Sequence, residues 1–145
     1  MQRQDFVSIG DRLAVVGGER HPHALRRLRE TFPNLVVIAA SEAPAQTPRL
    51  ELREDASLAE GAFGIVVQPG DTPVIRLRGG PFSGVIYGME ELLAKGLWQA
   101  DGLAVPAEPL SGSPGLAYRA WWTWDHSTNW ELSQIGHQEI GVFNP

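Results

Sequence analysis

Two short apolar runs flank an amphipathic helix near the start of the chain, and this pattern most constrains the fold. The first run covers residues 12–17 and ends in glycine, and the second covers residues 35–39. Between them, residues 23–32 place apolar side chains at helical spacing, with charged side chains opposite. Pro22 suits a first helical turn, and Pro33 blocks continuation of the helix. The pattern predicts a β–α–β unit, whose helix covers one face of a sheet.

The middle of the chain predicts a further strand, a hairpin and a second helix. Residues 50–54 alternate between apolar and charged side chains, which indicates a short strand. Residues 63–68 and 73–78 are β-branched runs around a turn of Pro, Gly, Asp and Thr, so antiparallel pairing is expected. Residues 83–95 carry an apolar stripe at helical spacing. These elements, with the β–α–β unit, predict the α+β class.

Glycines mark the second predicted helix. Gly84 and Gly88 lie on the flank of its apolar stripe, and Gly96 is placed to end it. A glycine inside a helix costs up to about 1 kcal/mol relative to alanine. We therefore expect Gly84 and Gly88 to be closely approached by another backbone or by a bulky ring. The stretch lacks the Gly-Lys-Ser/Thr ending of a phosphate loop and the spacing of a dinucleotide fingerprint, so neither is expected.

Composition and charge narrow the class of protein. The chain has 145 residues, 43% of them hydrophobic, which is enough for one domain with a core. A net charge of −5 argues against nucleic-acid binding, and Arg26, Arg27 and Arg29 are expected on a solvated helix surface. Cysteine is absent, which excludes disulfides and thiolate chemistry. No apolar run reaches the roughly 18 residues that span a bilayer, and no secretory leader is visible. We expect a cytoplasmic protein that binds no membrane.

The end of the chain changes character. Residues 100–114 are rich in Pro, Gly, Ser and Ala, with no periodic pattern beyond a short apolar run, and are expected to form a boundary or crossing segment. The window 117–130 then holds four of the five tryptophans, interleaved with charged and amide side chains. Indole rings at this density belong in a core, an interface or a ligand platform. Apolar sugar faces stack on indole, so a polyhydroxylated ligand suits the window.

Two parts of the chain resemble a known domain arrangement. Residues 63–93 contain a hairpin, a small-residue turn and then Gly-x-x-Tyr-Gly at 84–88, opening a helix that ends in leucines. This segment resembles the domain that precedes the catalytic barrel in β-N-acetylhexosaminidases, and it is similar to the leading domain of α-glucuronidases. Residues 116–125 resemble the linker and first strand of that barrel.

The resemblance implies an architecture. The leading domain of these enzymes is a small α+β unit without catalytic residues, packed against a (β/α)₈ barrel whose strands deliver side chains to the sugar. Residues 1–110 are then expected to form the accessory domain, a small mixed or mainly antiparallel sheet with two helices packed on it. Residues 111–145 are expected to be the linker and first strand of a truncated barrel.

The resemblance also implies sugar-binding residues. In hexosaminidases an arginine at the end of the first barrel strand binds hydroxyls of the terminal sugar, and Arg119 matches that position, followed by Ala120 where the family has glycine. Trp122, Trp124 and Asp125 are the other candidates for the sugar site of the whole protein. The alternative is that these tryptophans pack in a core or a domain interface.

The expected function is that of a non-catalytic N-terminal portion of a glycoside-hydrolase-like protein. Glycoside hydrolysis needs two carboxyl groups at a defined separation, and in this family they lie on later barrel strands, for which residues 116–145 leave no room. The whole protein would bind carbohydrate, and no cofactor is expected. The alternative is a free-standing carbohydrate- or peptide-binding module that uses the tryptophan-rich segment. An uncovered aromatic surface there also predicts self-association.

Two other groups of residues have the right types for catalysis or metal binding but the wrong arrangement. His21 and His23 lack a third ligand at metal-binding spacing. Asp125, His126 and Ser127 are consecutive, so they cannot converge as a triad does. Neither a metal site nor a triad is expected.

Overall fold

The computed structural model describes residues 3–115, which form an α+β unit. Two α-helices, nine strands and one 3₁₀ turn (Gly18–Arg20) make up this described part of the chain. The helices are α1 (Pro22–Thr31) and α2 (Gly84–Lys95). The strands are β1 (Phe6–Gly10), β2 (Arg12–Val16), β3 (Val36–Ala39), β4 (Arg49–Glu54), β5 (Phe63–Gln68), β6 (Val74–Gly79), β7 (Leu97–Gln99), β8 (Gly102–Pro106) and β9 (Leu110–Gly112).

The larger sheet has six strands in the order β3-β2-β4-β6-β5-β9. β3, β2, β4 and β6 run parallel, and Leu50 and Leu52 of β4 align with Ile75 and Leu77 of β6. β5 and β9 close one side in antiparallel register. Of the two arrangements expected from the sequence, this sheet is the mixed one, because its centre is parallel.

The predicted β–α–β unit and hairpin are confirmed. β2 and β3 pair in parallel on either side of α1, as a crossover helix requires. β5 and β6 pair antiparallel along their whole length, from Phe63 opposite Gly79 to Gln68 opposite Val74. The predicted strand at residues 50–54 is β4, and the second predicted helix is α2.

A second, three-stranded antiparallel sheet of order β1-β8-β7 was not foreseen from the sequence. Its central strand β8 is buried at every residue, so it shows no alternation from which a strand could be recognised. Residues 100–114, expected to form a boundary or crossing segment, contain both β8 and β9. The division of the chain at residue 110 stays a prediction.

One hydrophobic core joins both helices to both sheets. It combines alternate side chains of β2, β4, β5 and β6 with the inner faces of the helices and with β8. Among the fully buried side chains are Leu13, Leu28, Leu50, Ile75, Leu77, Met89 and Val105. Within residues 3–115, no helix is long and apolar enough to cross a bilayer.

The start of α2 is packed against backbone, as its glycines indicated. A Cβ added to Gly84 would lie 2.5 Å from the carbonyl oxygen of Ala62 and 2.9 Å from Cα of Gly79. A Cβ added to Gly88 would meet the Leu77 side chain at 2.9 Å. The expected approach by backbone is confirmed at Gly84, whereas the closest neighbour of Gly88 is an aliphatic side chain and neither backbone nor a ring. The helix ends at Lys95, and Gly96 after it is extended (φ −69°) rather than left-handed.

Candidate functional site

The sugar-binding residues expected from the sequence lie outside the described part of the chain. Arg119, Trp122, Trp124 and Asp125 all fall beyond residue 115. Their role, and the alternative of core or interface packing, stay predictions. The same holds for the Asp125-His126-Ser127 run.

An open cleft of about 840 Å³ lies within the described residues, at the carboxyl ends of adjacent parallel strands. Its lining comes from residues 16, 17 and 19–21 at the end of β2, residues 52–56 at the end of β4, and Pro81 and Phe82 after β6. We refer to it as the carboxyl-edge cleft. No pattern in the sequence points to it, because its residues are brought together only by the strand order.

The position of this cleft follows from the topology of the sheet. From β2 the chain crosses through α1 to β3 on one side, whereas β4 and β6 lie on the other side of β2. The connections that follow β2 and β4 therefore run in opposite directions along the sheet, which leaves a crevice at the carboxyl ends of these two strands. Open α/β sheets bind ligands at such switch points.

The wall after β2 is built on a tight turn. The backbone of Gly17 is left-handed (φ 82°), and a Cβ there would collide with the Leu52 carbonyl. Glycine therefore allows the chain to turn out of the sheet at the end of β2 in close contact with β4. The 3₁₀ turn that follows carries Glu19 and Arg20, both exposed at the cleft. His21 ends this turn and lines the cleft beside them.

The wall after β4 is held by Asp55. Its backbone N–H donates to the Gly79 carbonyl at 2.8 Å, which ties β4 to the end of β6. Its carboxylate accepts hydrogen bonds from the Ser57 hydroxyl, from the Ser57 N–H at 2.9 Å and from Arg78 Nη1 at 3.1 Å. The Ser57 hydroxyl is the main cause that lowers the pKa of Asp55, helped by the Ser57 N–H, Arg78 and Arg53. Asp55 is therefore an ionised structural group and not a proton donor.

The rim before α2 carries an exposed aromatic ring. Phe82 is 85% exposed, and its backbone is left-handed at φ 66°. The loop around it is fixed by main-chain bonds: Gly80 N–H donates to the Ala62 carbonyl at 2.7 Å, and Gly61 N–H donates to the Pro81 carbonyl at 3.2 Å. The ring is thus presented from a fixed backbone.

Charged side chains of both signs surround the cleft. Within residues 3–115, the structure gives no hydrogen bond or ion pair to the side chains of Glu19, Arg20 or Glu54. Two arginines on the sheet face opposite the core, which we call the uncovered sheet face, are engaged instead. Arg76 pairs with Glu51 at 3.0 Å, and Arg78 pairs with Asp55. The cleft therefore holds polar groups that the described fold itself does not use.

The arginine cluster of α1 is more than a solvated surface. Arg27 reaches across to α2 and donates to both carboxylate oxygens of Glu90, at 2.6 and 3.2 Å. This hydrogen bonding is the main cause that lowers the pKa of Glu90. Arg26 and Arg29 are exposed, as expected from the sequence. Part of the cluster therefore fastens the two helices together.

Histidines of the same region form no metal site in the described residues. His23 contacts Arg26 (Nδ1 to Nη2, 2.8 Å), whereas His21 lies at the cleft. In the part of the chain from residue 3 to 115, no three His, Cys, Asp or Glu side chains group as metal ligands.

Comparison by sequence gives no match for this chain. It matches no protein-family model. It also matches no curated protein.

Solved structures share the fold. A GH20 exo-β-N-acetylglucosaminidase from Vibrio harveyi, crystallised with N-acetylglucosamine, superposes with a TM-score of 0.58 at 15% identity over 82% of this chain and 18% of its own. An inactive mutant of that enzyme gives a TM-score of 0.61 at 14% identity, over 81% of this chain and 18% of its own. A β-N-acetylhexosaminidase from Bacteroides fragilis gives 0.50 at 16% identity, over 75% and 21% of the two chains.

These matches confirm the hexosaminidase-like domain expected from the sequence, at the level of the fold. The chain spans about a fifth of the length of these enzymes. Identities of 14–16% carry no residue roles. The likeness to α-glucuronidases stays a prediction. The chain has the fold of a small region of GH20 β-N-acetylhexosaminidases.

Proposed function

We propose that this chain is the non-catalytic leading portion of a glycoside-hydrolase-like protein, in which residues 1–110 support a catalytic barrel. The observation that carries the proposal is the extent of the structural match. Some 82% of this chain corresponds to 18% of the Vibrio harveyi enzyme. A unit of that size suits an accessory domain, because a (β/α)₈ barrel alone takes about 250 residues.

The charged groups of the described residues agree with a supporting role. A glycosidase keeps one carboxyl protonated as general acid by raising its pKa. The two described carboxyls whose pKa is shifted, Asp55 and Glu90, are both shifted downward by hydrogen-bond donors. Both are engaged in holding the fold, at the β4–β6 strand ends and between α1 and α2.

The substrate of the whole protein is proposed from its structural relatives. The Vibrio harveyi enzyme binds N-acetylglucosamine, so we infer a terminal N-acetylhexosamine as the sugar. Arg119, Trp122, Trp124 and Asp125 would then form one wall of the site, on the first strand of the barrel. A guanidinium and a carboxylate bind sugar hydroxyls, and indole stacks on the apolar face of a pyranose.

The test is an activity assay of the purified chain with a nitrophenyl N-acetyl-β-glucosaminide. We expect no release of nitrophenol above buffer, because the chain would bring one wall of the site and no acid/base pair. Turnover that disappears in a variant of a single carboxylate, such as Asp125→Asn, would show a complete catalytic site and refute the proposal. Turnover that is unchanged in this variant and separates from the protein on a second column would be a contaminant.

A further inference from the structure

We propose that the carboxyl-edge cleft is a binding site for a neutral oligosaccharide, with Phe82 as its stacking platform. The inference goes beyond the proposed function, since it concerns residues 16–82 and does not depend on the tryptophan-rich segment. It rests on the exposed ring, on the unused polar groups around it and on the place of the cleft in the sheet.

Phe82 is unfavourable for the fold in two ways. A bulky side chain is strained in left-handed backbone, whereas glycine or asparagine adopts this conformation more easily. The ring is also 85% exposed, so the described fold recovers little apolar burial from it. The loop hydrogen bonds at Gly80 and Pro81 use main-chain atoms and would be available to any residue at position 82. Packing within residues 3–115 therefore does not explain the ring, whereas contact with a ligand does.

The chemistry around the ring suits hydroxyl groups. Arg20 donates hydrogen bonds, and Glu19 and Glu54 accept them. A sugar hydroxyl both donates and accepts, so it can bind to all three side chains. None of these side chains has a hydrogen-bond or ion-pair partner within residues 3–115. Val16 and Pro81 supply apolar surface in the same cleft. An aromatic face beside mixed donors and acceptors matches a pyranose, which has one apolar face and a rim of hydroxyls.

Charge and size favour a neutral ligand of a few rings. Three carboxylates and two arginines line the cleft, so neither an anion nor a cation is strongly attracted. The volume of about 840 Å³ lies within the range of small-molecule sites. An open cleft at a switch point of parallel strands is also where sheets of this type bind ligands.

The experiment is a titration of the isotope-labelled full chain with cellotriose and with maltotriose, followed by backbone amide NMR. We expect saturable shifts confined to residues 17–21, 53–56 and 82–83, with a dissociation constant of about 1 mM for one of the two probes. Phe82→Asn should weaken binding about tenfold or more and raise the urea midpoint, because it removes the ring and relieves the backbone. Phe82→Tyr should retain binding. Val66→Ala removes another exposed apolar side chain, on the uncovered sheet face, and should leave binding unchanged.

Several results would overturn the inference. A lack of saturable shifts with both trisaccharides at about 10 mM would exclude a site of useful affinity. Equal binding by Phe82→Asn would remove the ring from the site, and a lower urea midpoint in that variant would show that the ring packs. If Phe82→Asn instead changes the sedimentation of the chain, the ring contacts protein. Glycosidase activity of the chain would refute the proposed function and leave these shifts unaffected, so the two failures are distinguishable.

Discussion

Replacing Gly84 by alanine sets two opposing effects against each other at the start of α2. Alanine is favoured over glycine in a helix by up to about 1 kcal/mol, and by less at the first helical residue, which Gly84 is, so propensity alone predicts a somewhat more stable protein. The added Cβ would lie 2.5 Å from the Ala62 carbonyl oxygen and 2.7 Å from the Gly79 carbonyl carbon. Favourable contacts of carbon atoms lie near 3.5–4.0 Å, so the methyl group is about 1 Å too close on both sides.

The neighbours cannot move away cheaply, because both are main chain. The Ala62 carbonyl accepts a hydrogen bond from Gly80 N–H at 2.7 Å, and the Gly79 carbonyl accepts one from Asp55 N–H at 2.8 Å. Overpacking of this kind typically costs about 1–3 kcal/mol. We expect the overpacking cost at this position to lie at the upper end of that range, because both neighbours are fixed. After the gain in helix propensity is subtracted, Gly84→Ala should lower the free energy of unfolding by about 2 kcal/mol.

Urea denaturation followed by far-UV circular dichroism measures the effect, with unchanged m-values as the sign that both states are otherwise preserved. Gly64→Ala is the matched control, because nothing lies within 4 Å of a Cβ at that position. It should be neutral or stabilising by about 0.5 kcal/mol, since alanine restricts the unfolded chain. Gly88→Ala should fall between the two, because it meets the Leu77 side chain and not backbone. A Gly84→Ala protein as stable as the parent would refute the argument from close approach.

Three further predictions concern charge and association. Glu90→Gln should lower the urea midpoint at pH 7. Because hydrogen bonding to Arg27 lowers the pKa of Glu90, the difference between the two proteins should persist as pH falls to the ordinary pKa of a glutamate, and should vanish as pH falls further through the lowered pKa. Equal midpoints of the two proteins at pH 7 would show that the link between the helices contributes nothing. Ser57→Ala should raise the pKa of Asp55, measured by NMR titration of its side-chain carboxyl, and an unchanged pKa would remove the hydroxyl as its main cause. The full chain should self-associate in sedimentation velocity at rising concentration, and replacing Trp122 and Trp124 by alanine should reduce this; a monomer at all concentrations would contradict the expected aromatic contact.

Much of the fold could be predicted from the sequence because its main elements have clear periodicity. The β–α–β unit and the hairpin combine regular patterns with proline and glycine at their ends, and the glycines of α2 correctly indicated tight packing. β8 was missed because every one of its residues is buried, which leaves no alternation to detect. β1 was missed because its burial is irregular over five residues, and its partner β8 is distant in the chain.

The candidate site was much harder to predict. The carboxyl-edge cleft combines Gly17, Asp55 and Phe82, which come from three separate turns. The strand order that brings these turns together could not be predicted from local patterns in the sequence. A left-handed phenylalanine has no signature either, because Phe82 follows a proline in a loop that many residues would tolerate. Distances along the chain carry little information when a site is assembled across parallel strand ends.

The pairing of β1 with β8 has a consequence for synthesis of the protein. Phe6 lies opposite Pro106, so β1 leaves the ribosome about a hundred residues before its partner strand. At a synthesis rate of roughly 5–20 residues per second, β1 has no hydrogen-bonding partner strand for a time on the order of seconds. The β–α–β unit can form earlier from neighbouring segments, whereas β1 cannot pair until β8 has been synthesised. Nascent chains that do not yet include β8 would therefore expose the unpaired edge of β1 to chaperones and proteases.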